Sequence, residues 1–380
     1  MAEAPGGLTL PAPRAREIWL GVALLLCAFA ATGESLRALE KSWPATDFSR
    51  RTVELGEVQS GGVPKDGIPA IDDPRFESAD RARHWLGPDE PVIAVTLGAS
   101  TRAYPIQILI WHEIVNDVLD GQPIAVTFCP LCNASLVFER TVGARVLDFG
   151  TTGMLRMSDL VMYDRQTESW WQQFTGEGIV GAYAGTMLRP VNSQIVPFES
   201  IAAAFPQAEV LSRPAGSGRP YGRNPYVGYD SIRSSPFAFR GTTDPRLKPM
   251  ERVLGLTVGA ETVVFPLSSL RDRPVLNEVV GGEPIVVLAA ERMRSPLDRR
   301  QIAESRSIAA AAAFRRSVAD RVLEFAWRDE RLVDEQTGSE WDGFGRAVNG
   351  PLAGTRLEQV DGGVHFAFAW LAFRPDTRIR

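Results

Sequence analysis

Apolar positions alternate with polar ones, or form short β-branched runs closed by turn residues, along most of the chain; this is the pattern of strands on a sheet. Pro91 to Ile106 predicts a hairpin, VIAVTL and TRAYPI joined at Gly98-Ala99-Ser100. The stretch ILIWHEIVND (108–117) predicts a short helical or irregular segment. A turn at Asp120-Gly121 then leads into the strand PIAVTF, which ends on Cys129. SLVFER and RVLDFG form a further hairpin, and LVMYDRQTESWWQQFTG continues in alternation, with Tyr163, Trp170, Trp171 and Phe174 expected in the core.

The pattern occurs twice. Residues 92–128 align without a gap onto 253–289, sharing Gly98/Gly259, Pro105/Pro266, Asn116/Asn277, Gly121/Gly282 and Pro123/Pro284. Most of these are turn positions, where glycine or proline supplies the backbone angles most easily. DRQTESWWQQF (164–174) matches DEQTGSEWDGF (334–344), AGTML matches AGTRL, and IAAAFPQAEVL resembles WLAFRPDTRI near the C-terminus. The expected fold is α+β, mainly antiparallel hairpins in two duplicated lobes packed by pseudo-symmetry. The first repeat covers 91–212, the second, degenerate one 251–380, and a Gly-, Pro- and Arg-rich crossover 213–250 joins them.

Ahead of the repeats, 43–90 reads as a turn-dense lead-in loop in which Asp66, Asp72 and Asp73 could edge a site. Residues 1–42 carry an apolar run, 18–33, behind Arg14 and Arg16; Ile18, Trp19, Leu20, Leu24, Leu25, Leu26 and Phe29 are its anchoring side chains. A bilayer needs about 20 apolar residues and a signal peptide 7–15, so a retained transmembrane anchor and a cleaved signal, at Ala28-Phe29-Ala30, both fit. In either case the positive flank stays inside and the bulk of the chain lies on the periplasmic, extracytoplasmic side.

A length of 380 residues suits two domains or one duplicated domain. The net charge of −5 leaves no basic surplus for phosphates, which argues against nucleic acid as a partner. Three cysteines and three histidines make the chemistry sparse, and Cys129, Cys132 and His112 fall within one short segment. In an oxidising compartment Cys129–Cys132 is a disulfide candidate. Cys129, Cys132 and His112 are also candidate ligands for a transition metal, with Glu113, Met154 or Met157 as a fourth. A redox dithiol is a third alternative, and c-type haem attachment fails because Asn133 stands where histidine is required. On a helix, His112 and Asn116 would share a face. Asp159, Tyr163, Asp164 and Arg165 could line the same cleft, although a solvated strand face explains them as well. In the second repeat Arg273 and Pro274 replace His112 and Glu113, and AAERMRS replaces the cysteine pair. The scaffold is thus repeated without its reactive residues.

The motifs GGVPKDGIPAIDDPRF, AYPIQIL followed by WHEIVND, TFCPLCNASLVFER and SDLVMYDRQTESWWQQFTGEGIVG together resemble the domain of unknown function 3179, over about Gly61 to Pro214. The resemblance implies an exported domain with a Cys-Pro-Leu-Cys signature and carries no established activity. Two functions follow as expectations. One is a membrane-anchored accessory, scaffold or binding subunit of a larger membrane protein assembly, of energy-transducing, respiratory or photosynthetic type, with other membrane subunits as partners. The other is an exported redox or metal-dependent enzyme using His112, Glu113, Cys129 and Cys132.

Overall fold

The computed structural model describes residues 36–380, and the candidate anchor residues from Ile18 to Phe29 lie outside them. Among the described residues no helix is long and apolar enough to cross a membrane. The chain is mostly antiparallel sheet with few, short helices, an α+β fold.

Three sheets organise the first half. Pro91–Leu97 and Ser100–Pro105 pair antiparallel, Ser193–Pro197 flanks the first strand, and Glu209–Leu211 runs parallel beside the second. Ile114–Leu119, Gln122–Cys129 and Ala134–Glu139 form a meander whose first turn is Asp120-Gly121, both residues at positive φ. Phe149–Arg156, Asp159–Asp164, Trp170–Gln172 and Glu177–Val180 form a second meander.

The same three strand orders recur in the second half. Arg252–Val258 and Glu261–Pro266 pair with Gly362–Phe366 and, in parallel, Arg378–Ile379. Val275–Val280, Glu283–Leu288 and Ala312–Arg315 form one meander. Phe325–Arg328, Arg331–Asp334, Glu340–Trp341 and Ala347–Asn349 form the other.

Buried polar staples repeat with the strands. The Asn116 amide donates to Phe149 O and accepts from Phe149 N, clamping two sheets together; Asn277 does the same to Phe325. Arg140 donates to Ile124 O and Leu147 O, as Arg316 does to Ile285 O and Leu323 O. A buried guanidinium with several acceptors is tolerated because each lost water contact is replaced. One apolar cluster crosses both halves, joining Phe128, Cys132 and Trp171 to Phe366, Phe368 and Trp370.

The segment ILIWHEIVND is half helix and half strand. The helix Ile106–His112 stops at Glu113, which sits at φ 58, and the β-branched pair Ile114 and Val115 enters the sheet opposite Thr127 and Val126. His112 and Asn116 therefore share no helix face, because tertiary strand pairing overrides the local helical pattern. The lead-in segment is packed: Trp43 and Phe48 stack edge-on against Trp170.

Candidate functional site

Gln122–Cys129 turns into Ala134–Glu139 through Pro130-Leu131-Cys132-Asn133, with Cys129 opposite Ala134 and Asn133 at φ 49. This turn wraps both thiols onto the same side of a buried strand end. The second half holds the turn from outside, since Phe366 N donates to Cys132 O at 2.9 Å and the Asn133 amide donates to Val364 O at 3.2 Å. Across from it, a tight turn at Met157 (φ 52) and Ser158 (φ 68) starts the strand Asp159–Asp164. These are the angles of a two-residue hairpin turn, shared by the equivalent turn Asp329-Glu330 (φ 48 and 61), and the hairpin places Ser158 O and Asp159 beside the thiols.

One sulfur of each cysteine and a carboxylate oxygen of Asp159 lie within 4.8 Å of one another. Ser158 O is 3.6 Å from Cys132 Sγ and 4.0 Å from Cys129 Sγ. Cys129, Cys132 and Asp159 are 1%, 0% and 0% exposed. Both cysteines are free thiols, with no disulfide between them. Asp159 Oδ2 accepts from Gln172 Nε2 at 2.7 Å and Phe174 N at 2.9 Å, whereas Oδ1 has no hydrogen-bond partner.

Burial dominates the electrostatics. It pushes the Asp159 carboxyl up to about 7 against the hydrogen bonds from Gln172 and Phe174. It pushes Glu113, also repelled by Asp159, up to about 8. Both thiols are raised too, Cys132 well above its ordinary value. A thiol that attacks or exchanges needs the opposite, exposure and a lowered pKa. These thiols are held protonated and out of solvent.

Beside the cluster lies a cavity of about 530 Å³, lined by Glu113, Leu131, Leu160, Met154, Tyr226 and Tyr229 among others. Leu131 sits between the cysteines and Leu160 follows Asp159 in the chain, while the cysteines and Asp159 themselves do not line the cavity. Tyr226 and Tyr229, whose hydroxyls burial keeps protonated, come from the crossover; Tyr229 donates to Leu131 O at 3.0 Å.

His112 is not in the cluster. Its Nδ1 donates to Pro69 O at 2.7 Å, leaving Nε2 to accept from the Tyr221 hydroxyl at 2.7 Å, and burial lowers its pKa. With both nitrogens committed, the ring serves as a strut between the helix end and two loops, and Asp159 rather than His112 lies beside the thiols. Met154 lines the cavity. The expected solvated face does not hold for Asp159 or Asp164, both 0% exposed. Asp66, Asp72 and Arg165 form a separate ion-pair network at the rim, with Tyr163 donating to Asp66. Asp73 pairs with Arg75 away from the thiols. Tyr226 and Tyr229 carry no signal in the sequence, since the crossover has no periodicity to place them.

The model of a family described as "Protein of unknown function (DUF3179)" matches residues 65–377, which is wider than the motifs between Gly61 and Pro214 and takes in both sets of sheets. No curated protein and no solved structure matches the chain.

Proposed function

We propose, from the premise that this chain belongs to the DUF3179 family of proteins of unknown function, that it is a membrane-tethered extracytoplasmic accessory subunit of a larger membrane protein assembly. Its apolar run 18–33 tethers it, its two lobes are copies of one domain, and its partners are other membrane subunits. Burial of the reactive cluster carries this reading: the thiols and Asp159 have at most 1% exposure, and none of the three lines the neighbouring cavity. The second lobe repeats the strand orders and the Asn277 and Arg316 staples with Arg273, Pro274, Ala290 and Met293 where the reactive side chains stand in the first. A scaffold with no retained chemistry in half its length suits docking better than catalysis. An energy-transducing membrane, respiratory or photosynthetic, is the proposed setting.

Gentle detergent extraction of the tagged full-length chain from its own membranes, followed by mass spectrometry, tests the proposal. Stoichiometric membrane subunits co-purifying with an uncleaved N-terminus are the expected outcome. A solitary, cleaved protein overturns it.

A second reading, an exported metal-dependent enzyme, is favoured by the cavity that brings Glu113, Tyr226 and Tyr229 beside the cluster. The redox-dithiol form of that reading has less support, because burial raises both thiol pKa values rather than lowering one.

A further inference from the structure

We propose that Cys129 Sγ, Cys132 Sγ and Asp159 Oδ1 bind one thiophilic divalent cation of the zinc type. This site does not depend on the accessory role proposed above.

Two observations carry it. First, both cysteine sulfurs and a carboxylate oxygen of Asp159 already lie within 4.8 Å of one another, brought together from two separate turns. Tetrahedral zinc with sulfur at about 2.3 Å and carboxylate oxygen at about 2.0–2.2 Å needs donors about 3.5–4 Å apart, which requires only side-chain adjustment from this starting arrangement. Second, Asp159 Oδ1 is a fully buried acceptor that no N–H or O–H group meets, with only the two thiols facing the carboxylate, while Oδ2 is fixed by Gln172 and Phe174 N. An orphaned buried carboxylate oxygen costs stability unless something positive meets it. Hydrogen bonds that orient one oxygen of a carboxylate and leave the other free are what a ligand's outer partners supply.

The donor set selects the cation. Two thiolates favour soft or borderline ions, and one carboxylate with them points to zinc rather than to calcium or magnesium, which take all-oxygen shells. Binding releases the protons of both thiols and any proton on Asp159 to solvent, and the cation's two positive charges offset all but one of the three negative charges formed. Three protein donors leave one tetrahedral position for a further donor. The second half has no counterpart: Ala290 and Met293 stand for the cysteines, and the turn residue Asp329 is exposed.

The test uses full-length detergent-solubilised protein, purified with reductant, stripped with chelator and titrated with Co²⁺. One equivalent per chain with a thiolate-to-cobalt charge-transfer band, displaced by Zn²⁺, is expected. Cys132→Ser and Asp159→Asn should each weaken binding by at least about tenfold, the lower bound for disturbing even an outer partner of a metal ligand. His112→Ala should leave affinity unchanged. Should the site variants fail to fold, X-ray absorption of the zinc-loaded wild type decides, with two sulfur neighbours expected. Co²⁺ binding without the band, full affinity in a Cys129→Ser/Cys132→Ser double variant, a zinc spectrum without sulfur, or a quantitative Cys129–Cys132 disulfide in protein taken directly from membranes overturns the proposal.

Discussion

Asp164→Ala is expected to cost about 2–6 kcal/mol of stability, the sum for two hydrogen-bond donors left without an acceptor. Asp164 is fully buried. Its Oδ1 accepts from Thr167 N and Thr167 Oγ1 at 2.7 and 2.8 Å, and its Oδ2 accepts from the Trp171 indole at 2.9 Å. Alanine leaves a backbone N–H and an indole N–H dry and unpaired, and each such group costs about 1–3 kcal/mol. Asp334 makes the same set, to Thr337 N at 2.7 Å, Thr337 Oγ1 at 2.9 Å and the Trp341 indole at 3.0 Å. Asp334→Ala should therefore lose a similar amount. Denaturant unfolding followed by tryptophan fluorescence measures both, and a loss under about 1 kcal/mol in either variant would remove the carboxylate from its structural role. Equal losses would also mark the motif DxQTxSxW as a turn device, used once in each half for folding and in neither for chemistry.

Acid should destabilise the chain through His365, and replacing that residue should relieve the effect. His365 is 1% exposed, stacked on Trp370 with ring centroids 5.5 Å apart and packed against Phe174 at 4.9 Å; its Nδ1 has no partner. Burial, reinforced by the nearby Arg374 guanidinium, lowers its pKa to about 3. In the unfolded chain histidine titrates near about 6.5. Between those values the unfolded state binds a proton that the folded state refuses, so stability falls as pH falls. The slope is about 1.4 kcal/mol per pH unit, beginning below about pH 6.5 and ending near pH 3, and the accumulated loss is about 2.7 kcal/mol by about pH 4.5. Carboxylates in ion pairs also weaken in acid, so the quantity to measure is the difference between wild type and His365→Leu. The variant should be less stable near neutrality and should gain on the wild type as pH drops to about 4.5. Parallel pH profiles would show that His365 is not the group responsible.

His365 also shows how the halves depend on each other. It lies in the strand Gly362–Phe366, whose next residue binds the Cys132 carbonyl, while its ring packs on Phe174 from the first half. The half without reactive residues thus forms part of the wall around the half that has them.

Much of this was readable from residue order. Alternation and turn chemistry placed the hairpins, because Asp120-Gly121 and Gly98 impose backbone angles that few other residues adopt easily. Comparing the chain with itself located its repeated scaffold and singled out Cys129 and Cys132, since residues needed only for packing recur in both halves. Sequence spacing grouped His112 with the cysteines and offered Asp159 only as lining for the same cleft, whereas Asp159 is the one that lies beside the thiols. The helical spacing from His112 to Asn116 was local, and it yielded to strand pairing that begins one residue after Glu113. Asp159 approaches the thiols because it starts the strand after the hairpin turn Met157-Ser158, which sheet packing sets across from the cysteines. Tyr226 and Tyr229 reach the cavity from a loop without periodicity. Local chemistry, period and repetition are properties of the sequence by itself, and they determined the strands, the turns and which half is reactive. Which side chains meet depends on contacts between residues far apart in the chain, and packing, burial and unpaired polar atoms in the tertiary structure alone decided it.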